Sequence, residues 1–280
     1  MRDKLIAFLI FGILLYNFMN DQAIGIFDSG VGGTSIWKEI AMAMPNENTI
    51  YLADSKYAPY GKRSKEEIID LSIKNTKKLL DLNCKIIVVA CNTATTNAIK
   101  ILREKFNIPL IGIEPAIKPA ALNTKTQKVG VLATKGTLSS KLFAKTSDEY
   151  AANIEVIEVI GTGLVELIEE GKIQTTEMQH LLTSYTQPLV EKNIDYLVLG
   201  CSHYPYLIPL LKTILPPQID IIDSGEAVAR QTKVILSKNN LLSASVKAGT
   251  HAFYTNGSLG VLQKILQTSD TSFTLKALNF

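Results

Sequence analysis

Two cysteines in this 280-residue chain stand in matching company. Residues 86–90 read IIVVA, a short, mostly β-branched run that suits a strand buried on both faces. The run breaks into Cys91, Asn92 and Thr93, and apolar residues resume at helical spacing from Ala98. Residues 196–200 read YLVLG and lead into Cys201, Ser202 and His203. Each thiol thus sits where a strand ends, at the carboxyl edge of an α/β sheet, the edge at which ligands bind. A thiol becomes a base or nucleophile once its pKa is tuned, and His203 can exchange a proton with Cys201 near neutrality. One strand-tip cysteine alone is more often a buried structural thiol, whereas two in the same polar setting argue for chemistry. Cys84 opens the strand leading to Cys91 without polar partners and reads as structural.

The surrounding elements echo one another. Residues 23–33 (AIGIFDSGVGG) and 129–137 (VGVLATKGT) each read as a strand running into a polar, glycine-bearing turn. The first delivers Asp28 and Ser29, then a glycine turn and a helix over 35–44, a combination that offers free N–H groups to an anion. The turn lacks the Lys-Ser/Thr of a P-loop and the spacing of a dinucleotide fingerprint. Asp54, at the end of the strand over 49–52, stands where a ribose-binding acid would and keeps an NAD-linked enzyme as a minor rival. A loop, YAPYG, follows at 57–61, and Ser64 with Glu66 and Glu67 marks the start of the next helix. Further strands are expected at 110–113, 154–159 and 219–222, with helices over 175–192 and 226–236 and a tail carrying two more strand-like runs. Of the acids in the helix after 161–163, Glu166 lies nearest the strand edge, ahead of Glu169 and Glu170.

Alternating strands and helices predict an α/β fold: two similar doubly wound parallel-sheet lobes related by pseudo-two-fold symmetry, with the active site in the cleft between them. The expected lobes are 23–117 plus 226–280, and 118–225. Facing halves would bring one thiol to each side of the cleft.

Composition narrows the classes. Hydrophobic residues make up 46% and charged residues 20%, ordinary for a globular protein, and a net charge of +3 is too weak to argue for nucleic acid or a membrane surface. Three cysteines do not make a disulfide framework and suit a reducing, cytoplasmic compartment. Residues 1–22 stand apart. Arg2 and Lys4 precede an apolar run to Met19 that is short for a membrane span and has no A-x-A-like cleavage site. We read this stretch as an extension or a mis-set start, with Met19 a natural opening for the first strand, in preference to the alternative of a working signal or membrane anchor.

IFDSGVGG, ADSKYAPYG, VVACNTATT, VGVLAT and LVLGCSHYP, in this order, resemble the glutamate racemases of the aspartate/glutamate racemase superfamily, from Ala23 to about Arg230. The resemblance implies interconversion of L- and D-glutamate without a cofactor, supplying D-glutamate for peptidoglycan. It implies Cys91 and Cys201 as the catalytic thiols, Asp28 as the acid assisting the first, and Glu166 and His203 as those assisting the second. It implies substrate contacts from Asp28, Ser29, Tyr60, Gly61, Asn92, Thr93, Thr134, Ser202 and His203. Ser202 departs from the threonine usual after the second cysteine but keeps the hydroxyl. The partner is a small molecule, and a homodimer is the family's common state. Three rivals remain. Aspartate could replace glutamate, since side-chain length is a matter of pocket shape. A cysteine hydrolase would leave the second thiol unexplained. A two-lobed binding protein would need no thiols. Zinc is disfavoured, because no three ligands are assembled by spacing.

Overall fold

The computed structural model describes residues 21–150, 153–267 and 271–280. The N-terminal extension therefore lies, up to residue 20, outside the described residues. Among those described, no helix is long and apolar enough to cross a membrane.

The first half runs β1 (Ile24–Asp28), α1 (Thr34–Ala43), β2 (Thr49–Ala53), α2 (Lys65–Asp81), β3 (Ile86–Val89), α3 (Asn92–Lys105), β4 (Leu110–Gly112) and α4 (Ile117–Asn123). The second runs β5 (Lys128–Ala133), α5 (Lys135–Leu138), α6 (Lys141–Tyr150), β6 (Glu155–Ile160), α7 (Leu164–Glu169), α8 (Thr176–Glu191), β7 (Tyr196–Gly200), α9 (Ile208–Ile214) and β8 (Asp220–Ile222). The chain then returns through α10 (Gly225–Lys238), β9 (His251–Thr255), α11 (Leu259–Leu266) and β10 (Thr274–Ala277).

One sheet has the order β10-β9-β2-β1-β3-β4 and the other β6-β5-β7-β8. Every pairing in both is parallel. The units β2-β1-β3-β4 and β6-β5-β7-β8 share one order, second-first-third-fourth, so the echo heard in the sequence is a repeat of topology. The tail adds β9 and β10 to the β2 edge of the first unit only.

Burial explains why these runs became strands. All residues of β1 and β3 are buried, as expected of parallel strands covered by helices on both faces. β6 is an edge strand with no fully buried residue, its positions being exposed or half-buried. The predicted start of α2 is realised as a capping box: Glu67 N–H donates to Ser64 Oγ, while Glu67 Oε2 accepts from Ser64 N–H. Trp37 fastens α1 to the tail. Its Nε1 donates to Thr49 Oγ1 at 3.0 Å, and its ring meets Phe253 edge-on at 4.7 Å between centroids. Cys84 is buried against the β1 backbone, and burial pushes its thiol up to about 12, in keeping with a structural role.

Candidate active site

The repeat places its two thiols at equivalent points. Cys91 follows β3, the third strand of the first unit, and Cys201 follows β7, the third strand of the second. Both are buried and both line one small cavity, together with Ser29, Tyr60, Gly61, Asn92, Thr93, Thr134, Val165, Ser202 and His203. The free space there is only about 10 Å³, room for about one water, so the cleft is closed. A far larger cavity, about 680 Å³, lies between α1 and residues 205–209, but neither thiol reaches it. Size does not identify the chemistry here; the convergence of polar groups does.

Cys91 caps α3, its Sγ accepting the Ala94 N–H at 3.4 Å and donating to Ser29 Oγ at 3.6 Å. A helix N-terminus favours a thiolate. Burial acts against it and is the larger effect, and the nearby charge of Asp28 adds to burial. The Cys91 thiol is therefore held well above the ordinary range and carries its proton at neutral pH.

Cys201 is partnered differently. Its Sγ lies 3.8 Å from His203 Nδ1, and His203 Nε2 lies 2.6 Å from Glu169 Oε1. Glu169 is held in turn by the Val31 N–H on Oε1 at 2.6 Å and by the Ser55 hydroxyl on Oε2 at 3.0 Å. The Gly32 N–H also approaches His203 Nε2, at 3.2 Å. One nitrogen cannot accept from Gly32 and donate to Glu169 at once, and the shorter carboxylate contact assigns the proton to Nε2. Burial alone would lower the His203 pKa. Hydrogen bonds to Cys201 and Glu169, and the charge of Asp28, outweigh it and hold the imidazole well above its ordinary value. His203 is thus an imidazolium near neutrality, with Nδ1–H facing the Cys201 sulfur.

Asp28, at the tip of β1, is fully buried. Its Oδ1 accepts the Gly30 N–H at 2.9 Å and its Oδ2 the Ser202 hydroxyl at 2.8 Å, a bond between the lobes. Burial raises its carboxyl, against the opposing pull of His203, Ser202 and Gly30. Asp28 thus acts on Cys91 through charge, while its hydrogen bonds go to Gly30 and Ser202.

Of the binding residues expected from the sequence, Ser29, Tyr60, Gly61, Asn92, Thr93, Thr134, Ser202 and His203 line the same cavity, whereas the buried Asp28 does not. Both polar atoms of the buried Asn92 side chain lack a protein partner. Thr93 Oγ1 meets Thr134 Oγ1 across the cleft at 2.8 Å. Tyr60 turns its hydroxyl to Asp54, whose carboxylate also receives Lys74 and Asn75. Asp54 is fully buried beneath the 57–61 loop and presents no ribose-binding face.

Glu166 lies elsewhere. Its carboxylate pairs with Lys62 in the outer cleft, which adjoins the thiol cavity through Pro59, Gly61, Thr134 and Val165. The acid that touches His203 is Glu169, one turn further along α7 and its last residue. In the sequence, proximity to the strand edge favoured Glu166. Because α7 is only six residues long, its C-terminal end is what meets the 30–32 turn. The available signal was the i, i+3 pair itself.

The Asp/Glu/Hydantoin racemase family model matches residues 25–232. Glutamate racemase of Herpetosiphon aurantiacus is 43% identical over 249 residues, covering 89% of this chain and 98% of that protein. Among solved structures, Escherichia coli glutamate racemase in complex with L-glutamate and the activator UDP-MurNAc-ala superposes with a TM-score of 0.81 at 31% identity, covering 92% of this chain and 98% of that one. Francisella tularensis glutamate racemase in complex with D-glutamate gives 0.80 at 31%, with 93% and 98% covered.

Proposed function

Since the chain belongs to the Asp/Glu/Hydantoin racemase family, whose model spans residues 25–232, we propose that it interconverts L- and D-glutamate by a two-cysteine proton transfer at Cα. The observation that carries this reading is the placement of both thiols, from equivalent strand tips, around one cavity that also holds the unpartnered Asn92 side chain. Relatives crystallised with each glutamate enantiomer support glutamate as the substrate.

The two thiols have different partners, as the chemistry requires. Cys91, kept protonated by burial and Asp28, is the proton donor in the resting form. Cys201, facing the imidazolium of His203, is the base. With Cα–H facing Cys201, the sulfur takes that proton and the Cys91 S–H delivers its own to the opposite face. Cys91 is left as thiolate and Cys201 as thiol, the form that acts on the other enantiomer. The carbanion-like state places charge on the α-carboxylate, where Asn92, Thr93 and Ser29 supply preorganised donors, while the Ser202 hydroxyl is held by Asp28. The reaction draws only on these side chains, and its product suits supply of D-glutamate for peptidoglycan in the cytoplasm.

Cys91→Ala and Cys201→Ala each abolish racemisation, read by chiral chromatography of L- and D-glutamate, with L-aspartate in parallel. Near wild-type turnover in either variant contradicts the two-thiol mechanism. Turnover of aspartate alone reassigns the substrate.

A further inference from the structure

We infer that Asn256, in the tail beyond the residues matched by the family model, is a positioning residue for the loop that presents Tyr60 and Gly61 to substrate. The inference rests on the racemase reading of that cavity. The loop between β2 and α2 makes two single turns, Ser55–Tyr57 and Tyr60–Lys62. Such short turns have few internal hydrogen bonds and depend on outside support.

Asn256 supplies that support at the loop's start. Its Nδ2 donates to Asp54 Oδ1 at 2.5 Å, its Oδ1 accepts the Lys56 N–H at 3.0 Å, and its own N–H reaches Ala53 O at 3.4 Å. Asp54 then relays the constraint. Its Oδ2 accepts the Tyr60 hydroxyl and the Asn75 amide, the latter at 3.1 Å, and Lys74 Nζ lies 3.0 Å from Oδ1. One side-chain amide thus ties the loop directly at Lys56 and, through Asp54, at Tyr60. Sheet register makes this possible: Ala53 pairs with Thr255, so Asn256 falls beside Asp54 although 202 residues separate them.

The chemistry calls for an amide. A donor must face the Asp54 carboxylate while an acceptor faces the Lys56 N–H, and this pattern also fixes which end of the amide is nitrogen. Asn256 is only half-buried, so replacing it leaves the core intact. Gly61 borders both the thiol cavity and the outer cleft, so the loop meets the part of the substrate remote from the two sulfurs. Loosening it weakens ground-state and transition-state binding together, which raises KM more than it lowers kcat.

The test compares the wild-type chain with Asn256→Asp, which keeps the acceptor and turns the donor into a like charge facing Asp54, and with Asn256→Ala. Amide hydrogen exchange over 55–62, KM and kcat for both glutamate enantiomers, and calorimetric glutamate affinity are measured. The inference predicts faster exchange confined to the loop, a KM about tenfold higher for both enantiomers, and a kcat changed less than about threefold, with Asn256→Asp the more affected. Unchanged KM and affinity overturn it, whether or not the loop exchanges faster. Failure of the wild-type chain to racemise glutamate would instead sink the underlying reading, and the affinity ratio would still decide the role of Asn256.

Discussion

Glu169 and Glu166 stand one helical turn apart and do different work. Glu169 sits behind His203 with three hydrogen-bonding partners, whereas Glu166 forms an ion pair with the mostly exposed Lys62. An exposed pair of that kind is worth less than about 1 kcal/mol. Glu169→Gln therefore lowers kcat about a hundredfold, while Glu166→Gln changes it less than about fivefold, both read in the steady state. A pH profile separates the roles further. The raised His203 pKa keeps the imidazolium facing Cys201 below that value and loses it above. Exchanging the Glu169 carboxylate for a neutral amide weakens the hydrogen bond that favours the imidazolium and lowers the His203 pKa, so the alkaline fall of kcat/KM moves to lower pH in Glu169→Gln. Stability follows the same sign: a group whose folded pKa is raised contributes fully below its unfolded value, near 6.5, and loses that contribution as pH rises through the folded value. The stability gap between wild type and Glu169→Gln is accordingly widest on the acid side and narrows toward alkaline pH.

The elements that hold these residues are short turns pressed together, and the 30–32 turn is the tightest. A Cβ on Gly32 would lie 2.2 Å from His203 Nδ1, and one on Gly30 would lie 1.9 Å from Glu169 Oε1. Both glycines serve close approach between the lobes. Gly32→Ala must push the His203 ring off Cys201; we expect a loss of about 1–3 kcal/mol in thermal unfolding and a fall in kcat far beyond that of an alanine at an exposed helix site. The sequence showed the strand tips carrying Asp28, Cys91 and Cys201 because a buried β-branched run ending in polar residues is a local pattern. The repeat was legible too, and it emerges as a shared strand order. Glu169 was not selected, because the acid reaching His203 depends on how a six-residue helix docks against a turn more than a hundred residues away. Asn256 was invisible for the same reason: its role exists only once β9 pairs with β2.

At the scale of the molecule, bonds between the lobes close the cleft: Ser202 to Asp28, Thr93 to Thr134, Glu169 to Val31 and Ser35 to Ser202. With space for about one water between the thiols, the proposed reaction requires these contacts to part for glutamate to enter and to reform around the reacting carbon. Both sulfurs line one cavity at the meeting of two like-ordered units, and the central claim of the proposed function is that they act on opposite faces of the same carbon. Its most direct test is the isotopic content of both enantiomers during the first turnovers of L-glutamate in deuterium oxide. Two single-proton bases on opposite faces give D-glutamate carrying solvent deuterium at Cα, while the recovered L-glutamate keeps its original hydrogen. D-glutamate that retains the substrate's own α-hydrogen, or deuterium entering the recovered L-glutamate as fast as the product, would contradict it.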